Sequence, residues 1–171
     1  QSEDLMVWEK ADNGVNPEGF IAQDPRLANT YPPCVRQYNN EFFMYLYIKN
    51  DVIEQGNYIL KASSPVGPFD FVTDENGDPV CYTIEQTNLN IDCDVFIDDN
   101  EDVYFMSGHQ DNYFTGIRAF KMPDMESVSY GENDYINIAE SSVGGWTEGN
   151  GFFKRDGKYY LMYTGSSVLS P

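Results

Sequence analysis

Positive charge is scarce in this chain: ten Lys and Arg stand against 28 Asp and Glu among 171 residues, a net charge of −18. Affinity for phosphate backbones rests on clusters of basic side chains, so nucleic acid is not an expected partner. No stretch of about 18 apolar residues occurs, so no membrane span is expected. No amphipathic run at helical period exceeds about three turns, which leaves little room for helices. Histidine occurs once and cysteine three times, with no C-x-x-C and no metal-type spacing. Cys34, Cys81 and Cys93 therefore read as three buried free thiols, or as one disulfide plus one thiol. The chain starts at Gln1 without Met or a signal peptide and reads as a processed product or an excised piece. Its few lysines and its acidity suit a secreted or periplasmic protein.

What the chain has in excess is aromatic: 13 Tyr, 11 Phe and 2 Trp favour strands, and the length suits one domain. One phrase, a strand, a polar turn and an aromatic strand, recurs three times. It runs Val35-Arg36-Gln37-Tyr38-Asn39-Asn40-Glu41-Phe42-Phe43-Met44, then Val95 to Phe105 around Asp99-Asn100-Glu101, then Gly151 to Leu161 around Asp156-Gly157. Superposing Phe43, Tyr104 and Tyr160 gives steps of 61 and 56 residues, the period of a four-stranded propeller blade with long loops. Twelve residues before each aromatic stand Tyr31, Asp92 and Glu148. Equivalent sites on successive blades converge on one axis, and two carboxylates over a sugar-sized cavity are the minimum that glycoside hydrolysis needs.

The expected architecture is all-β, an arc of four-stranded antiparallel blades. Residues 1–30 read as the end of one blade plus a connection, 31–91 as a blade, 92–147 as a second, and 148–171 as the start of another. A propeller removes its sheet edges by closing, so such an arc is expected to self-associate. Asp74, Asn76, Asp78 and Glu85 sit at calcium-loop spacing, but Pro79 stands where that loop requires Gly; a hairpin turn at Asn76-Gly77 is the expected structure.

Ile91-Asp92-Cys93-Asp94-Val95-Phe96-Ile97-Asp98-Asp99 resembles the "I-D-P-x-V-F-x-D-D" segment of glycoside hydrolase family 43. Trp146-Thr147-Glu148-Gly149-Asn150-Gly151 with the following Lys154 to Leu161 hairpin is similar to that family's "E-G-P" and "K-x-x-G-x-Y-Y-L" segments. Tyr31-Pro32-Pro33 falls at its "W-A-P", and Ala62-Ser63-Ser64-Pro65-Val66-Gly67-Pro68-Phe69 matches its "A-S-S-P-x-G-P-F". The four motifs keep the family's order over about 130 residues. Cys93 and Asn150 replace the family's prolines.

The resemblance implies a partial five-bladed propeller from an inverting glycosidase acting on arabinose- or xylose-containing polysaccharide side chains or oligosaccharides. It implies Glu148 as general acid and Asp92 as the carboxylate that orients it and raises its pKa. A carboxyl must still hold its proton near neutral pH to protonate a departing oxygen. Asp94, two residues along the same strand, is a candidate substrate contact, as are Tyr31, His109 and Trp146. No cofactor is required; a structural calcium is compatible with the family. In the family the base lies on a strand that would precede residue 1, and the repeat frame rejects Asp24 as its substitute. A chain with an acid and no base fits a second reading, a non-catalytic carbohydrate-binding or structural piece.

Overall fold

The computed structural model describes Met6 and residues 24–82, 92–110, 115–127, 135–140 and 148–164. Apart from a three-residue 3-10 turn, Pro25–Leu27, every regular element among them is a strand. The strands form three antiparallel sheets in chain order. The first holds β1 (Cys34–Tyr38), β2 (Glu41–Ile48) and β3 (Gly56–Ala62). Its outer edge is split between two dipeptides that both pair with β3, β4 (Asp70–Phe71) and β5 (Cys81–Tyr82). A single continuous fourth strand is thus replaced by two short ones at this blade's rim. The second sheet is β6 (Asp94–Ile97), β7 (Val103–Gln110), β8 (Thr115–Met122) and β9 (Tyr135–Glu140); the third contains β10 (Glu148–Arg155) and β11 (Lys158–Thr164).

Local chemistry fixes the hairpins. Asn39 and Asn40 both take positive φ (49° and 64°), as do Asp156 and Gly157 (51° and 70°). These are the two-residue turns whose twist matches the flanking strands, and Asn, Asp and Gly tolerate them best. The β6–β7 connection is longer, because Ile97 pairs with Val103 around a loop closed by Asp98 N–H to Asp102 O and Glu101 N–H to Asp98 O, both 2.9 Å. Asp74 likewise folds back on itself: its carboxylate accepts from the N–H groups of Asn76 and Asp78, and Gly77 supplies φ +85°. The acidic run there is a turn.

Alternation along β2 and β7 builds the core. Phe43 and Tyr45 point with Val95, Val103, Phe105, Phe120 and Met122 into the layer between the first two sheets, and Tyr45 donates its hydroxyl to Met125 O at 2.8 Å. Met44, Leu46 and Ile48 face the other way against Tyr58, Leu60 and Phe69. Met106, Ile117 and Ala119 of the second sheet meet Phe96, Phe152 and Leu161 toward the third. The second sheet is thereby covered on both faces, as a blade between two blades must be. Beyond it the β10–β11 hairpin is open: Tyr160 is 42% exposed, Met162 61% and Tyr163 43%.

Candidate active site

β1, β6 and β10 each pair on one side only among the described residues, with β2, β7 and β11. Their free edges carry backbone groups that need partners. Side chains from the neighbouring sheet supply them. Arg36 of β1 donates its Nε–H to Val95 O of β6 and its Nη2–H to Asp94 Oδ1. Asp94 Oδ2 accepts the Phe152 N–H of β10 at 2.8 Å. Asp92, just before β6, accepts the Gly149 N–H of β10 on Oδ2 at 3.1 Å. Farther out, Lys154 Nζ lies 2.6 Å from Asp98 Oδ1 and the Tyr159 hydroxyl donates to Asp98 Oδ2 at 2.6 Å, which together hold the Asp98 carboxyl down at about 2.

The Arg36, Asp94 and Asp92 contacts border a cavity of about 390 Å³ with Pro32, Pro33 and Cys34 on one wall, Asp92, Cys93 and Asp94 on the second, and Gly149, Asn150 and Gly151 on the third. Asp92 adopts φ +55°, a left-handed conformation that Asp tolerates better than most residues. The backbone opposite it is irregular too. Pairing between β10 and β11 slips by one residue between Glu148 and Gly151, and Gly149 sits in the bulge at φ +64°. A bulge with a left-handed residue calls for glycine. This accounts for Glu-Gly at the mouth of the third repeat, and it aims the Gly149 N–H at Asp92.

Asp94 lines the same cavity but is 4% exposed, with both carboxylate oxygens engaged; Oδ1 also accepts the Val95 N–H at 2.9 Å. Burial pushes its carboxyl above the ordinary range, while the Arg36 guanidinium and the two N–H groups pull the other way. It joins three inner strands rather than offering a free oxygen to a ligand. Arg36, its partner, carries no sequence motif. The signal that could have found it is a basic residue on an inner strand of a chain with only ten Lys and Arg.

Tyr31 stands one residue before the cavity wall, its N–H bonded to Tyr47 O and its ring edge-on to the Tyr47 ring at 5.5 Å between centroids. Glu148 begins β10 opposite Thr164 and His109 lies in β7 opposite Gly116; the side chains of both, and all of Trp146, lie outside the described residues. Asp24 is taken up by Arg26, which contacts both its oxygens from Nε at 3.0 and 2.9 Å, and by the Arg26 N–H. This pairing holds the Asp24 carboxyl below the ordinary range, away from the cavity. Both polar atoms of the Asn150 amide are buried and find no partner among the described residues. No three His, Cys, Asp or Glu side chains among the described residues converge in a way that could hold a metal ion.

The family model for glycosyl hydrolases family 43 matches residues 1–171. A xylosidase/arabinosidase from Butyrivibrio fibrisolvens is 23% identical over 171 residues, 95% of this chain and 31% of that protein. Among solved structures, an α-L-arabinofuranosidase from Clostridium thermocellum superposes with a TM-score of 0.59 at 22% identity, covering 82% of this chain and 44% of its own. An exo-β-1,3-galactanase from the same organism gives 0.57 at 21% identity, covering 85% and 32%. The chain belongs to glycosyl hydrolases family 43 and has its propeller-type fold. It spans less than half the length of each of these relatives.

Proposed function

We propose that the chain is the acid-bearing part of an inverting glycosidase acting on arabinose- or xylose-containing oligosaccharides or polysaccharide side chains. The observation that carries this reading is the Asp92–Gly149 hydrogen bond, which brings the Asp92 carboxylate against the backbone next to Glu148 at the wall of a sugar-sized cavity. Glu148 is assigned as general acid. Asp92 acts as the neighbouring negative charge that disfavours ionisation of the acid and so keeps its proton available near neutral pH. Water activated by a base would attack the anomeric carbon from the opposite face while Glu148 protonates the leaving oxygen. The two carboxyls of an inverting pair stand roughly 6.5–9.5 Å apart.

Asp94 and Asp24 are poor candidates for that base. Each is already committed, Asp94 to Arg36 and two backbone N–H groups and Asp24 to Arg26. From the family resemblance, and because the chain spans less than half the length of those relatives, we assign the base to sequence outside it and expect the chain alone not to hydrolyse aryl xylosides or arabinofuranosides at a useful rate. The same observation favours one second reading, a carbohydrate-binding module without turnover. The two separate in the whole protein. Glu148→Gln keeps shape but removes the transferable proton, so substrates with poor leaving groups should slow by about 10²–10⁴-fold and those with good leaving groups far less. Equal slowing of both would make Glu148 a binding residue, and robust turnover by the chain alone would refute the assignment of the base.

A further inference from the structure

Two contacts between β1 and β6 share one spacing. Arg36 reaches Val95 O, 59 residues on. Cys34, two residues before Arg36, meets Cys93, two residues before Val95. The inner strands of the first two sheets thus run side by side in the same direction. Their start is marked by a pair of thiols: Cys93 belongs to the buried core cluster between the two sheets and Cys34 packs against that cluster, near enough for its thiol to perturb that of Cys93. Both thiols are free and both line the cavity, Cys34 partly exposed and Cys93 6% exposed. Cys81 lies apart in β5, at the outer rim of the first sheet, beside the Tyr58 hydroxyl.

We propose that Cys34 and Cys93 form a reversible disulfide site that clamps the inner strands of two adjacent blades at the cavity wall, with a small-molecule disulfide as the oxidant. Cys34, open to the cavity, reacts first: its thiolate attacks one sulfur of the oxidant, the other sulfur leaves as a small thiol, and a mixed disulfide forms on Cys34. Cys93 then gives up its proton and attacks the Cys34 sulfur, releasing the second thiol. Two protein thiols and one small disulfide become one protein disulfide and two small thiols. The neighbouring Cys34 thiol, together with burial, pushes the Cys93 thiol up and makes it a poor first nucleophile. Contact with Cys34 compensates in the second step, because the attack is intramolecular between groups already in place.

The geometry gives the bond a consequence. No hydrogen-bond ladder joins β1 to β6. An S–S bond of about 2.05 Å would draw the main chain at Cys93 toward β1. That segment carries Asp92 on one side and Asp94 on the other, so thiol state is coupled to the contacts both make with β10. The bond would also close a loop of some 59 residues, and a cross-link restricts the unfolded chain more the longer the loop it closes.

The test uses the chain itself, equilibrated with oxidised glutathione, quenched in acid, unfolded and alkylated. Three alkylated cysteines should fall to one, Cys81, with loss of the mass of two hydrogens and recovery of a peptide joining Cys34 to Cys93. Dithiothreitol should restore three. Cys81→Ser should leave the link intact, whereas Cys34→Ser and Cys93→Ser should each abolish it. The oxidised chain should melt roughly 5–15 °C above the reduced one. Three alkylated cysteines after oxidation, a lasting glutathione adduct on Cys34, or a link that uses Cys81 or joins two chains would each overturn the proposal. The wild-type chain decides this even if a serine variant fails to fold. No readout involves sugar, so failure here leaves the roles of Asp92 and Glu148 untouched.

Discussion

Replacing Asp94 by Ala should destabilise this fold more than any single surface change. The carboxylate is 5% exposed and satisfies three donors at once: the Arg36 guanidinium, the Val95 N–H at 2.9 Å and the Phe152 N–H at 2.8 Å. Val95 N–H loses its side-chain acceptor when Asp94 is truncated. Phe152 N–H faces the inner edge, where no strand pairs among the described residues, so its loss costs about 1–3 kcal/mol. Breaking a fully buried ion pair by removing one partner costs about 3–5 kcal/mol, but the Arg36 side chain is 34% exposed and solvent takes up much of that. Together these suggest a loss of about 3 kcal/mol, which for a chain of this size lowers Tm by roughly 6–12 °C. Asp94→Asn keeps one acceptor and should lose about half as much.

Urea unfolding followed by circular dichroism measures this directly. Asp94→Ala, Arg36→Ala and the double variant close a cycle whose coupling should be about 1–2 kcal/mol. The pH dependence supplies a sign. Because burial raises the Asp94 carboxyl above its ordinary 3.8, the stability it contributes is fully present below that value and is lost as pH rises through the raised one. The deficit of Asp94→Asn against wild type should therefore shrink as pH rises across that window. A loss within about 0.5 kcal/mol for Asp94→Ala, or a deficit that grows with pH, would refute the stitching of inner strands by Asp94.

Gly149→Ala would place a Cβ 3.6 Å from Thr164 Oγ1, an ordinary contact, so the penalty is the left-handed backbone at φ +64°; a loss of about 1 kcal/mol in urea unfolding is expected. Asp98 has the opposite sign to Asp94: its stabilisation by Lys154 and Tyr159 is present above pH 3.8 and lost as pH falls toward about 2, so Lys154→Ala should flatten the acid limb of a melting-temperature profile. Tyr159, Tyr160, Met162 and Tyr163 are 52%, 42%, 61% and 43% exposed along one short strand. Light scattering should show association that increases with concentration, and a Tyr160→Lys/Met162→Lys variant should reduce it.

The fold class was legible because the turn chemistry was. Asn39-Asn40 and Asp156-Gly157 occupy left-handed pairs, and the aromatic strands after them alternate between two buried layers, as a strand between two faces must. The split outer edge of the first sheet was not legible, since dipeptides such as Asp70–Phe71 and Cys81–Tyr82 are too short to show a period. Nor were the stitches. The motif frame treats Asp94 as a variable position and offers it to the substrate, but whether a strand residue meets ligand or protein depends on the stagger of the next blade. That stagger is a tertiary quantity: the contacts run from Arg36 to Val95 at a separation of 59, Asp94 to Phe152 at 58, Asp92 to Gly149 at 57 and Asp98 to Lys154 at 56.

The common spacing of twelve is the sum of unequal parts. Tyr104 lies opposite Phe96, eight residues back across the long β6–β7 turn, while Tyr160 lies opposite Phe153, seven back across a two-residue turn. From there Asp92 is four residues farther and Glu148 five, the extra one being the bulge at Gly149. A longer turn in one blade and a bulge in the next cancel, which brings the two acidic positions to one level. The first blade has the short turn, with Arg36 opposite Phe43, and β1 pairs without a slip. Twelve residues back there overshoots by one to Tyr31, whereas the residue at the acidic level is Pro32, which does line the cavity. The bulge therefore has a positional purpose. Without it the ladder would carry Gly149 opposite Thr164, and a one-residue slip in a strand exchanges the faces of everything before it. Gly149 both places Glu148 and lends Asp92 its N–H, so the position of Glu148 and the Asp92 contact come from the same backbone irregularity.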